Sequence, residues 1–133
     1  MDESQTQPSP IIDLEPDECW ALAAGQPVGR LAWTGPQGPT VVPVNFVVTG
    51  RRVHIRTTAY SALARECDDS PVAFEVDQFD AAHRSGWSVL MRGRAHLHYG
   101  VSDGSDEPDV WPTGIRGLQV ALEVDEVTGR RVG

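Results

Sequence analysis

Hydrophobic and polar residues alternate with a period of two along most of the chain after residue 27. This period is typical of strands that bury one face. Segments rich in glycine, proline or small polar residues separate the alternating stretches. The pattern predicts strands at residues 27–33, 41–48, 53–58, 71–79, 86–100 and 117–124. Because most connections are short, we predict a mainly β fold, a six-stranded antiparallel barrel, in which ring closure removes exposed strand edges.

Two short segments carry helix signals instead. In the first, Pro16 suits the first helical turn and Gly25 suits the stop. The second is "ALARE", which follows Ser61 as a candidate N-cap. Residues 1–12 are polar and contain proline, so we expect a flexible N-terminal arm followed by a single domain over residues 13–133.

Charge and composition exclude several classes of protein. The net charge of −8 disfavours a nucleic-acid partner, and no apolar stretch is long enough to cross a membrane. No export signal opens the chain, and we read Cys19 and Cys67 as reduced thiols of a cytoplasmic protein. His96 and His98 share one strand face, but no third ligand lies near them in sequence, so we predict no metal site.

Pro43 interrupts what otherwise reads as a central strand. A proline has no N–H to donate to a ladder and is normally confined to edges or bulges. Asn45 points the same way, among apolar neighbours, and a buried amide needs partners. Two interpretations stay open: Asn45 bonds to nearby backbone, or this edge contacts a planar polar ligand.

The stretch "HIRTTAYSALARE", residues 54–66, joins the end of a strand to the second helix. Alternation places His54, Arg56 and Thr58 on one face, with Ser61 at the helix start. An arginine and hydroxyls at a helix N-terminus suit a phosphate. The same residues equally suit a plain capped helix with a surface arginine.

The order of these motifs is more specific than any one of them. "GRLAW", "PTVVPVNFVV", "VHIRTTAYSALARE", "SPVAFEVDQFDAAHRSGWSVLMRGRA" and "LEVDEVTGRRV" follow one another. Together they resemble the pyridoxamine 5'-phosphate oxidase-like family of FMN-binding split barrels, in its small actinobacterial form. The resemblance implies a six-stranded split barrel and a homodimer that binds two FMN molecules at its interface.

The resemblance also implies a set of cofactor-binding residues. They are Pro43, Val44 and Asn45 along the isoalloxazine ring, Arg56, Thr57 and Thr58 at the phosphate, Ser61 and Leu63 at the loop and helix start, Trp87 and Ser88 from the partner subunit, and Trp111 in the long loop.

One position departs from the family pattern. Relatives commonly carry a lysine at the helix start, where this chain has Ala62. Losing one charge-assisted contact would weaken FMN binding about ten- to a hundredfold.

The resemblance implies a flavin-dependent oxidoreductase of unknown substrate, and the small number of basic residues argues against a true pyridoxamine phosphate oxidase. The alternative is a non-catalytic ligand-binding, sensor or interaction dimer. No catalytic residue is assigned. His54 is the nearest acid–base candidate, although we expect a surface histidine there.

Overall fold

The computed structural model describes residues 10–57, 61–99 and 118–133. Within these ranges the chain forms two short helices and seven strands. The helices are α1 (Pro16–Ala24) and α2 (Ala62–Glu66). The strands are β1 (Ile11–Asp13), β2 (Val28–Gly35), β3 (Gly38–Thr49), β4 (Arg52–Thr57), β5 (Ser70–Asp80), β6 (Ser85–Tyr99) and β7 (Leu118–Val132).

Six of the strands close into a ring. The order is β7-β4-β3-β2-β5-β6, and β6 pairs again with β7. All neighbours are antiparallel. The predicted six-stranded antiparallel barrel is therefore confirmed, and each predicted strand corresponds to an observed one.

The seventh strand was not expected. Ile11 and Ile12 pair with Val132 and Arg131 at the end of β7. The sheet thus begins inside the segment that the sequence assigned to a flexible arm of residues 1–12, and residues 1–9 lie outside the described ranges. Three residues are too few to show a period, so the pattern gave no signal for β1.

β7 is longer than its hydrophobic pattern predicted. It continues past Val124 to Val132 as the partner of β6. The register shifts between Arg92 and Gly93, which leaves Asp125 as an extra residue on β7. A Cβ on Gly93 would collide with the backbone of Glu123, so this bulge requires glycine.

The core fills the inside of the ring. Its side chains come from the inward positions of the strands and from α1 and α2. Phe74, at the centre, is fully buried and meets Phe46 edge to face, with ring centroids 4.9 Å apart. Cys19 and Cys67 are buried, free thiols. Burial raises the pKa of both, to about 12 for Cys67, so neither is an activated nucleophile.

Candidate functional site

The barrel wall is open between β3 and β4. Their ladder runs from Thr49↔Arg52 to Phe46↔Ile55. On its other side β3 pairs with β2 as far as Gly38. Among the described residues, no ladder pair joins Pro43–Asn45 to β4, although β4 itself continues to Thr57. The missing N–H of Pro43 therefore lies where the two strands separate, as the sequence predicted.

Pro43 and Asn45 share the outer face of β3. Asn45 is partly buried and donates from Nδ2 to the carbonyl of Pro27 at 3.4 Å. The backbone amide of Phe46 donates to the same carbonyl at 3.2 Å. This contact supports the interpretation in which Asn45 bonds to nearby backbone. Pro43 is exposed and Val44 is partly buried against the core.

The other wall of the opening is the end of β4 and the start of α2. Arg56 and Thr57 are partly buried there and pair with Gln119 and Leu118 of β7. The hydroxyls of Thr57 and Ser61 lie 2.8 Å apart, and either can donate. The end of β4 and the start of α2 thus carry a guanidinium and two hydroxyls, which are donors that suit a phosphate, and Arg56 and Thr57 face opposite sides of β4.

Ser61 caps α2 as predicted. Its backbone is extended, and its Oγ accepts from the Ala64 amide at 3.1 Å. Ala62 is the first helical residue and packs, partly buried, against the core. Leu63 is only 3% exposed, so its side chain belongs to the core and not to the opening.

Trp87 and Ser88 face opposite sides of β6. Trp87 is 6% exposed and packs in the core of its own subunit, which leaves only Ser88 of this pair with an outward side chain. Strands β2 and β5 lie between Ser88 on β6 and Asn45 on β3. At ordinary strand spacing, these two residues are about 14 Å apart. Within one chain, Ser88 therefore does not reach the opening between β3 and β4.

Two further predicted cofactor-binding residues, Thr58 and Trp111, lie outside the described residues.

The histidines differ from expectation in one place. His54 is 8% exposed, so the expectation of a surface strand histidine was wrong. His96 lies 3.7 Å from a carboxylate oxygen of Glu123. Within the described ranges, no group of three or more His, Cys, Asp or Glu side chains could hold a metal ion.

A charged cluster beside the opening was missed by the sequence analysis. Arg30 of β2 lies between Pro43 and Glu75 in the register of the sheet. Its Nη1 contacts Glu75 at 2.9 Å and Asp77 at 3.5 Å. Burial, and then the neighbouring Asp77, raise the pKa of Glu75 to about 7 despite Arg30. Arg30 and Glu75 are 45 residues apart, so their contact produces no local sequence pattern. Strand alternation alone could place each of them on the outer face.

Comparison with known proteins matches this architecture. A family model described as pyridoxamine 5'-phosphate oxidase matches residues 15–131. The chain belongs to this family. The match spans both walls of the opening and the whole ring of six strands.

Individual relatives agree with this assignment. An uncharacterized protein of Mycobacterium tuberculosis is 32% identical over 92% of this chain and 86% of its own length. The FAD-binding protein of Mycobacterium smegmatis is 28% identical, with a TM-score of 0.74, covering 93% of this chain and all of that one. A pyridoxamine 5'-phosphate oxidase-like structure from Corynebacterium glutamicum shares the fold, with a TM-score of 0.78 at 23% identity over 99% of this chain and 96% of that one.

The described part of the chain contains no helix of the length and apolarity needed to span a membrane.

Proposed function

We propose that this protein is a homodimeric, FMN-binding oxidoreductase of the split-barrel class. Family membership and the FAD-binding relative from Mycobacterium smegmatis support a flavin as the cofactor. We propose that its substrate is a small molecule that donates or accepts electrons, and we name no particular compound. The two free, buried thiols suit a reducing compartment, and we propose a cytoplasmic protein.

The opening between β3 and β4 is the observation that carries the proposal. A planar ring system can lie along Pro43–Asn45, where β3 has no ladder partner from β4. On the facing wall, Arg56 and the hydroxyls of Thr57 and Ser61 offer a cation and hydrogen bonds to a phosphate. The two halves of FMN need these two kinds of surface.

A bound flavin would supply hydride or electron transfer at this site. The chain's own residues position the ring and hold the phosphate. Strand β3 fixes the ring edge through the rigid backbone at Pro43, and Arg56 supplies the charge at the other end. No residue is assigned to proton transfer.

Two copies complete the site in this proposal. Ser88 points outward from its own barrel and lies about 14 Å from Asn45 of the same chain. Its contact with a flavin therefore requires the opening of a second subunit. The core position of Trp87 removes its side chain from this contact and leaves only its backbone.

Flavin uptake by the purified protein tests the proposal. We expect yellow protein, or colourless protein that gains visible flavin absorbance after FMN is added and excess is removed. FAD, added in parallel, tests the choice of cofactor. Protein that retains neither flavin contradicts the proposal.

Ala62 provides a sharper version of this test. The substitution Ala62→Lys adds a cation at the first residue of α2, beside Ser61. We expect FMN to bind about ten- to a hundredfold more tightly, because one charge-assisted contact is gained. Ala64→Lys, later in the same helix, is the matched control and should leave FMN affinity unchanged.

Ala62 also favours the second candidate function, a non-catalytic ligand-binding or sensor dimer with weakened flavin binding. This alternative would be supported if the wild-type protein does not bind FMN and the Ala62→Lys variant does. If the FMN affinity is the same in the wild type and in Ala62→Lys, the natural ligand has no phosphate at this wall.

A further inference from the structure

The outer face of β4, β7 and β6 is basic, although the protein as a whole carries a net charge of −8. Inward positions such as Ile55, Val120 and Ala95 are fully buried, so the alternate residues of the three strands point outward. Nine neighbouring outward positions hold Arg52, His54, Arg56, Gln119, Ala121, Glu123, Arg94, His96 and His98. Three arginines and one glutamate give these positions a charge of +2 when the three histidines are neutral. A face of this sign attracts anions, which the protein as a whole repels.

One row of this face consists of hydrogen-bond donors. In the strand register, Arg56 of β4, Gln119 of β7 and His98 of β6 lie side by side, and we call these three residues the donor row. Each of their side chains can donate a hydrogen bond, and none is acidic. At ordinary strand spacing, Arg56 and His98 are about 10 Å apart. Because Arg56 is also the cation at the phosphate in the proposed function, the donor row continues that wall of the opening across the outer face.

The acidic side chains near this face lie at its other end. Glu123 stands two rows away from the donor row, 4.0 Å from Arg52 and 3.7 Å from His96. In the same row as Glu123, Arg94 contacts the carboxylate of Asp69 at 3.4 Å. An anion on this face is therefore bound most favourably at the donor row, where it is farthest from these two carboxylates.

A depression of about 340 Å³ adjoins the donor row. The small side chain of Ala121 lies at its centre, and His96 and His98 line one side. Asp68 also lines it, and its Oδ1 accepts from the backbone amide of Leu97 at 3.0 Å. Small-molecule sites typically have volumes of about 300–1,000 Å³. The depression therefore has room for a group larger than a single ion.

We propose that the donor row and the depression over Ala121 bind a second anionic group, a phosphate or a carboxylate, beside the flavin phosphate. The inference rests on the proposed function for the position of the first phosphate and adds a second anion site to it. Two sources carry this chemistry. One is the second phosphate of a flavin dinucleotide, which belongs to the cofactor, and the other is a phosphate or carboxylate on a separate substrate molecule.

Calorimetric titration of the full chain with FMN, FAD and inorganic pyrophosphate tests the site. His98→Ala removes an exposed imidazole from the donor row. His83→Ala removes another exposed imidazole, at the β5–β6 turn, and is the matched control. We expect His98→Ala to weaken binding of the second anion about tenfold, because one hydrogen bond to a charged group is lost. His83→Ala should bind all three ligands as wild type does.

The two sources of the anion give different results. If it belongs to the cofactor, the wild type prefers FAD to FMN, and the ratio of the two affinities falls about tenfold in His98→Ala. If it belongs to a separate molecule, FAD has no advantage over FMN. Pyrophosphate then binds the FMN-saturated wild type, and it binds FMN-saturated His98→Ala about tenfold more weakly.

A second substitution changes the charge of the donor row and keeps its shape. Gln119→Glu places a carboxylate between Arg56 and His98, and we expect it to weaken binding of the second anion more than His98→Ala does. Gln78→Glu makes the same change at an exposed position of β5 and should leave that binding unchanged.

Two results overturn the inference. The first is a wild type that does not prefer FAD and does not bind pyrophosphate when it is saturated with FMN. The second is equal binding of the second anion in His98→Ala and His83→Ala. Protein that binds neither flavin contradicts the proposed function instead, and the pyrophosphate affinities of the two histidine variants then decide the inference by themselves.

Discussion

Two parts of the barrel wall are made from the same alternating pattern but differ in how completely they pair. Strands β5 and β6 pair without a gap from Ser70↔Ala95 to Asp80↔Ser85. Strands β3 and β4 pair over only four residues, from Thr49↔Arg52 to Phe46↔Ile55, and then separate. Both regions bury the side chains on the inward face of their strands.

The difference shows where stability and function lie in this fold. Continuous pairing of β5 and β6 satisfies the backbone and fills the core with Val72, Phe74 and Val76. At the opening, Pro43 removes a backbone donor, and Arg56, Thr57 and Ser61 bring a guanidinium and two hydroxyls to the end of β4 and the start of α2. A cation and hydroxyls beside a break in the ladder suit the phosphate of the proposed cofactor.

The largest expected effect is a loss of stability at the continuously paired strands β5 and β6. Phe74→Ala removes a fully buried ring that packs against Phe46, and we expect a loss of about 3–5 kcal/mol in the free energy of unfolding. Phe79→Ala, on the same strand but 63% exposed, is the matched control and should cost about 1 kcal/mol or less. Chemical denaturation measures both. Equal losses would show that β5 is not packed as described.

The second largest expected effect is a loss of FMN affinity at the opening between β3 and β4. Arg56→Ala removes the cation of the phosphate wall, and we expect FMN affinity to fall about ten- to a hundredfold. Arg52→Ala changes the same strand at a position that is 62% exposed and ion-paired at 4.0 Å with Glu123. That control should bind FMN as wild type does. Equal affinity in both variants would remove Arg56 from the site.

The smallest effect separates the two roles of Ser61. Ser61→Ala should lower the free energy of unfolding by about 1 kcal/mol, because α2 loses its cap. Ser61→Asp restores a capping oxygen but places a negative charge beside the phosphate wall. We expect it to unfold like wild type while binding FMN more weakly than Ser61→Ala. Tighter binding by the aspartate variant would place the phosphate elsewhere.

The same contrast explains what could be predicted from sequence. The period of two located all six barrel strands, because inward positions such as Leu31, Val53 and Val120 must be apolar in any register. The cap at Ser61 and the opening at Pro43 were also predictable, since each depends on the local chemistry of one residue. The number of strands and their short connections predicted the ring closure, and the family resemblance added the expectation of an FMN cleft.

Features that depend on distant pairing could not be predicted. β1 exists only because β7 continues to Val132 and offers an edge. The partner of Arg30 is 45 residues away. The burial of His54 and the inward side of Trp87 follow from how the closed barrel packs, which alternation alone does not determine.

Backbone amide shifts on titration of the labelled protein with FMN test the central claim most directly. We expect changes at Val44, Asn45, Arg56 and Thr57, on the two walls of the opening, and none at the β5–β6 turn, residues 81–84. Changes confined to other parts of the barrel, or no changes at saturating FMN, would contradict the assignment of this opening as the cofactor site.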